Sequence, residues 1–420
     1  MLDDLIKLFR NSPRWTNSSF AKRLGFQLDH NFDETTREPT ASEKLNWDNL
    51  STSGYRPAVR SGHSSLVVGS TMYIFGGYNE GNCHNDIYEF DLLRHHWEQI
   101  DTFNGISPDG RASHAWCASS DEGKLYLYGG SGPHWGQTNM GKLLQFDIKK
   151  RNWSIVDSHG SNPPPGYGQS LCAINQKLYL FGGTSGHVYV NDLYIFDEIG
   201  KVWKKEETSG QRPSPRYKHQ TIAVGNRMYL IGGGLYDPPK GPIDVFYLDV
   251  DTLVWHRVKS SGFVPRSRIA HTICKTERSE NTRILMFGGR DDSGSRSNEL
   301  SEFDVETESW RLISHQSGQP DPCDFHTAIM YQDQMFVFGG SNGLERNNNV
   351  YRYTAIHQPS TLATLSMLTL RHGPKPISQN QLKLLPKELQ LGVQYINQNV
   401  RVTENIAWFE RRSARAACFM

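Results

Sequence analysis

The chain has 420 residues, with 45 Lys+Arg against 44 Asp+Glu, and is 37% hydrophobic and 11% aromatic. That aromatic content excludes a disordered chain, and a net charge of +1 gives no overall pull toward nucleic acid or anionic membrane. No apolar run approaches the ~18 residues of a membrane helix. The first ten residues carry two acids and no long apolar stretch, so no secretory signal is expected there.

Cys83, Cys117, Cys172, Cys274, Cys323 and Cys418 stand far apart, and none makes the Cys-x-x-Cys spacing of a zinc or redox motif. No metal, cofactor or catalytic residue is expected. The thiols are expected to be reduced, in cytoplasm and/or nucleus.

In chain order, residues 1–40 read as a polar N-terminal arm, partly disordered. A repeat then begins. Gly-Gly pairs occur at 76–77, 129–130, 182–183, 232–233, 288–289 and 339–340, at steps of 53, 53, 50, 56 and 51 residues. Each ends a short apolar run such as Met72-Tyr-Ile-Phe75, which reads as a strand leaving by a turn too tight for a side chain. A second strand follows, as in Asn85-Asp-Ile-Tyr-Glu-Phe-Asp91. Then comes a tryptophan, Trp97, Trp153, Trp203, Trp255 or Trp310, 20 to 23 residues beyond the second glycine. Ahead of the pair stands Arg-x-x-His in four copies: Arg60/His63, Arg111/His114, Arg216/His219 and Arg268/His271. Copy three reads Gly166-Tyr-Gly-Gln169 and copy six Cys323-Asp-Phe-His326. The histidines are expected to be satisfied hydrogen-bonding groups rather than ligands.

This unit of four strands resembles the kelch repeat, whose blades build a β-propeller. The expectation is an all-β, six-bladed kelch β-propeller over residues 41–356. The sixth copy lacks a tryptophan, and an orphan Trp47 precedes the first copy. The strand around Leu45-Asn-Trp-Asp-Asn49 is therefore expected to close the ring as the outer strand of the last blade, leaving no open edge.

Loops after Gly-Gly and loops between blades share one face, and the long ones lie there. Arginines and aromatics in these stretches predict a substrate-binding ring of Arg60, Arg111, Tyr167, Arg216, Lys218, Arg268, Arg290 and Phe325. Guanidinium groups with aromatic walls suit a peptide ending in a carboxylate. The alternative is that each motif arginine pins a neighbouring blade.

Beyond Tyr353 the pattern changes to a short helical segment over 357–400. Leu362, Leu365 and Leu368 recur on one helix face. Thr361, Leu362, Ser366 and Leu370 resemble a BC-box, the Elongin C-binding helix. Leu385-Pro386-Lys-Glu-Leu389 resembles a cullin 2 box. Both behind a kelch propeller resemble the kelch-domain substrate receptors of cullin 2 ubiquitin ligases. That resemblance implies a non-catalytic adaptor that binds Elongin B/C and cullin 2. It would hold C-terminal degrons on the long-loop face, with no nucleic-acid or membrane partner. The branch of that family reading Gly-Gly ends carries two arginines after its fourth double glycine. Gly234-Leu-Tyr-Asp-Pro-Pro-Lys-Gly241 has none. The competing reading is a kelch scaffold for signalling or cytoskeletal partners. Residues 401–420 are expected to be a disordered tail.

Overall fold

Each repeat folds as one antiparallel blade in the computed structural model. It describes residues 47–354, apart from 103–104, 135–136, 139–140, 277–281 and 314–317. The first blade contains Ser64–Val68, Thr71–Phe75, Ile87–Asp91 and His96–Gln99 from the centre outward. Blades two to five repeat the arrangement, and no α-helix occurs among the described residues. The described residues 47–354 belong to one compact unit.

Local chemistry explains the blade. The inner strands are short and apolar. The aspartate ending the third strand receives backbone N–H groups of the following turn. Leu93 and Arg94 donate to Asp91, Ile199 and Gly200 to Asp197, and Glu306 and Thr307 to Asp304. This Asx-type cap sets the turn into the outer strand.

Closure occurs as expected. Trp47–Asn49 pairs antiparallel with Val350–Thr354, with Trp47 opposite Tyr353, Asp48 opposite Arg352 and Asn49 opposite Tyr351. Arg352 donates to Asp48 at 2.8 Å. Six apolar clusters fill the six gaps between neighbouring blades, including the gap between the last blade and the first. In each gap the blade tryptophan meets apolar residues of the blade before. Trp153 packs on Phe75 at 4.9 Å, Trp255 on Phe181 at 5.0 Å, Trp97 on Phe338 at 5.0 Å and Trp47 on Phe287 at 5.0 Å. Burying such pairs is the main cohesive term between blades.

The double glycine has a two-sided reason. Both residues take positive φ, +68° and +105° at Gly76 and Gly77. A Cβ on Gly76 would lie 2.6 Å from the Arg111 carbonyl of the next blade, and one on Gly77 3.0 Å from His63. The Gly77 N–H donates to that Arg111 carbonyl at 2.8 Å, and the same bond recurs at all six junctions.

The motif histidines are buried beside these glycines. His63, His219 and His326 each share a hydrogen bond with a hydroxyl of the preceding blade: Thr327, Ser170 and Thr272. His271 faces the backbone carbonyls of Ile231 and Arg268, whereas His114 has no partner at either ring nitrogen among the described residues, which corrects the expectation for that one ring. Burial holds both down to about 3, so they pack as neutral rings.

Candidate functional site

The mouth of the central channel is built from one position of the repeat. The residue before each motif histidine or Gln169 takes left-handed φ: Gly62 (67°), Ser113 (52°), Gly168 (69°), Lys218 (53°), Ala270 (55°) and Phe325 (57°). Each donates its backbone N–H to the carbonyl of its counterpart one blade back, from Ser113 to Gly62 at 2.8 Å through Phe325 to Ala270 at 3.0 Å. The circle closes from Gly62 to Phe325 at 2.8 Å. Left-handed backbone is unfavourable for Lys and Phe by about 1–2 kcal/mol. The closed circle holds it in place.

Two of these side chains meet across the mouth. Lys218 Nζ lies 4.1 Å from the centre of the Phe325 ring, two blades away, and 4.6 Å from that of Tyr217. Burial pushes the Lys218 ammonium down to about 7, opposed by Asp324 and assisted by Arg290. Below the mouth the inner strands enclose a cavity of about 600 Å³.

A smaller hollow of about 220 Å³ opens beside Phe325, lined by Tyr78, Ser113, Arg296, Asp324 and Arg346 among others. Asp324 is buried and accepts from Arg296 Nε at 3.0 Å. Burial nevertheless raises its carboxyl above the usual range, against the pull of Arg296, Lys218 and Arg290. Arg346 donates Nε to Ser61 at 3.0 Å and lies 4.8 Å over the Tyr78 ring. Arg290 pairs with Asp237 at 3.0 Å. Among the described residues, Lys218 and Arg346 are cations at this mouth without a carboxylate within ion-pair distance.

An aromatic shelf continues over blades three and four. Tyr217 contacts Tyr189 at 5.2 Å and Tyr167 at 6.3 Å, while Val188, Leu235 and Tyr236 are more than half exposed. Cation and shelf together can receive an anionic group followed by apolar side chains. Among the described residues no group of three His, Cys, Asp or Glu is placed to hold a metal ion.

Four of the expected binding residues are elsewhere. Arg60, Arg111, Arg216 and Arg268 are at most 1% exposed. Each donates Nε to the carbonyl two residues earlier and Nη1 to the carbonyl of the first glycine of its own blade. Arg60 also grips Asp86, Arg216 grips Asp244 and Arg268 reaches Glu299. The expectation of an arginine ring facing a ligand is corrected for these four: they lock their own blades.

Tyr167 is buried with its ring toward Tyr217, Arg290 stands on the rim, and Lys218 and Phe325 come together. Arg296, Asp324 and Arg346 were not singled out from sequence as binding groups. The available signal was a charge inside a loop after Gly-Gly, since Arg296 follows Gly289 by seven residues and Arg346 follows Gly340 by six. Leu362, Leu365, Ser366, Leu370, Leu385, Pro386 and Leu389 lie outside the described residues.

Comparison with known proteins agrees with this architecture. The Attractin/LZTR1 beta-propeller family profile matches residues 125–358, and that of the KLHDC2/KLHL20/DRC7 Kelch-repeats domain matches residues 32–183. Kelch domain-containing protein 10 of Rattus norvegicus is 27% identical over 311 residues, 69% of this chain and 62% of that protein. The Homo sapiens protein of the same name is likewise 27% identical, over 69% of this chain and 57% of its own length. The leucine-zipper-like transcriptional regulator 1 homolog of Drosophila melanogaster is 26% identical over 326 residues, 73% of this chain and 27% of that protein. The chain thus aligns with 57–62% of the length of these two kelch relatives.

Proposed function

The chain belongs to the Attractin/LZTR1 beta-propeller family, and from that premise we propose that it is a substrate-recognition adaptor of a cullin 2–Elongin B/C ubiquitin ligase. The propeller is of the kelch protein-interaction type. The observation that carries a peptide-binding role is the channel mouth. There, with no carboxylate among the described residues within ion-pair distance, Lys218 and Arg346 stand against the rings of Phe325, Tyr217 and Tyr78. A C-terminal carboxylate would sit between these cations, with the preceding apolar side chains over the shelf of Tyr189, Leu235 and Tyr236. Residues at such a mouth are held by backbone, so little order must be gained on binding.

The ligase half of the reading is supported by the order of the two boxes in sequence, Thr361–Leu370 and then Leu385–Leu389. Leu362 would be the anchor in an apolar Elongin C pocket, where a carboxylate could not be buried without large cost. The test is affinity purification of the wild type beside Leu362→Asp. Elongin B/C is expected with the wild type and absent from the variant, while substrates are retained by both. Equal Elongin recovery would remove the ligase assignment. Partners unaffected by deletion of residues 360–400, with no Elongin in either sample, would support the scaffold reading instead.

A further inference from the structure

Blade three keeps the receptor for an arginine but has no arginine. In blade one, the Arg60 guanidinium is held by four groups. These are the Ala58 carbonyl at 3.0 Å, the Gly76 carbonyl at 2.9 Å, both Asp86 oxygens at 2.6 and 2.9 Å, and the Tyr88 ring at 5.5 Å. In blade four, Arg216 has the same four: Ser214 O at 3.0 Å, Gly232 O at 2.8 Å, Asp244 at 3.0 and 3.2 Å, and the Phe246 ring at 5.3 Å.

The matching residues of blade three are Pro164, Gly182, Asp192 and Tyr194. The register confirms the match: Tyr194 lies opposite Leu180 as Tyr88 lies opposite Ile74 and Phe246 opposite Leu230. The arginine position is Gly166. All five residues line one cavity of about 200 Å³, together with Gln169. Pro164, Ser185 and Val188 on its rim are exposed, so it opens to solvent.

The acceptors are not otherwise fully occupied. Among the described residues no hydrogen bond ends on the Gly182 carbonyl, and Gln169 Oε1 is buried without a partner. The Pro164 carbonyl receives the Tyr128 hydroxyl at 3.3 Å and keeps a second lone pair. Lys205 approaches from the outer strand, 3.0 Å from Asp192 Oδ2 and 5.8 Å from the Tyr194 ring. In blade four the counterpart Arg257 lies 5.9 Å from the same Phe246 ring that Arg216 covers, and in blade three Lys205 takes Asp192 Oδ2, which leaves Oδ1 for a second donor.

We infer that this vacancy is a binding site for an arginine side chain presented by a partner protein. Its planar fork would donate to the Gly182 carbonyl and Asp192 and stack on Tyr194, repeating the bonds that blades one and four make internally. A lysine ammonium matches the carboxylate but not the fork geometry. The inference stands apart from the ligase reading and needs neither the channel mouth nor the C-terminal boxes.

The test is calorimetric titration of the full chain with the blocked pentapeptide Gly-Gly-Arg-Gly-Gly, beside its lysine and citrulline counterparts. The arginine peptide is expected to bind about tenfold tighter than the lysine peptide, with no binding by citrulline. Asp192→Asn should weaken the arginine peptide by about tenfold or more. A second variant fills the site from within. A Cβ on Gly166 would meet Gln169 Nε2 at 2.7 Å and the Thr184 carbonyl at 2.9 Å. Gly166→Arg is therefore combined with Gln169→His, rebuilding the motif of the other blades. The contact with the Thr184 carbonyl remains, so the double variant is first checked for native folding by circular dichroism, and the folded variant should lose the peptide. Absence of binding, equal binding of all three peptides, or undiminished binding by a folded Asp192→Asn chain would overturn the inference.

Discussion

At the scale of single residues, burial separates two kinds of cation. Arg216 is buried against the half-buried Asp244, so Arg216→Ala leaves that carboxylate and the Gly232 and Ser214 carbonyls without their partner. The expected loss is about 3–5 kcal/mol in urea unfolding. Arg346 lies at the mouth, and Arg346→Ala should cost less than about 1 kcal/mol while weakening peptide capture. The reverse ranking would return the motif arginines to the ligand face.

Lys218 makes a pH prediction. The unfolded chain holds its proton up to the ordinary value of 10.5, the folded chain up to about 7. Between those values the unfolded state binds more protons, so the Lys218 contribution to stability rises with pH. In Lys218→Met that increment should vanish, read as the change in urea midpoint between pH 7 and 9.5. An unchanged pH slope would show that the ammonium is not desolvated.

At the scale of elements, the closing strand is held as the outer strand of blade two is, each being the last strand of a four-stranded sheet. Trp47 packs on Phe287 at 5.0 Å and Tyr353 at 5.2 Å, much as Trp153 packs on Phe75 at 4.9 Å and Phe146 at 5.2 Å. Trp47→Ala and Trp153→Ala should therefore destabilise alike, each by about 3–5 kcal/mol. A much smaller loss at Trp47 would mean that the seam contributes less than the other junctions. The repeat phase made this strand legible, because an orphan tryptophan before the first copy and a missing one after the last complete each other. The blade-three vacancy was visible only as Gly166 where other copies have arginine. Its meaning needed the register that places Gly182, Asp192 and Tyr194 around it.

At the scale of the whole molecule, five buried histidines among the described residues link stability to acidity. His114, His219 and His271 are held down to about 3, His326 to about 4, and His63 well below 6.5, each chiefly by burial. The unfolded chain protonates them near 6.5, so stability falls as pH drops through 6.5, and the contributions of His114, His219 and His271 are lost in full only near 3. Urea midpoints at pH 7.5 and 5.0 should differ clearly, and His114→Gln with His271→Gln should reduce the difference. Equal midpoints would mean that these rings are not buried neutral.

Periodicity in the chain determined the blade count, the closing strand and the glycine exits, because each is a local requirement repeated six times. Tight backbone approach excludes every side chain but glycine, and one tryptophan fills each gap between blades. What the tertiary structure decided is which way the charges point. Arg60 and Arg346 are both arginines near one face in sequence. An acid twenty-six residues away, Asp86, draws the first inward, and the ring of Tyr78 keeps the second at the mouth. The composition is indifferent to that choice, since direction depends on partners that only the folded ring brings together.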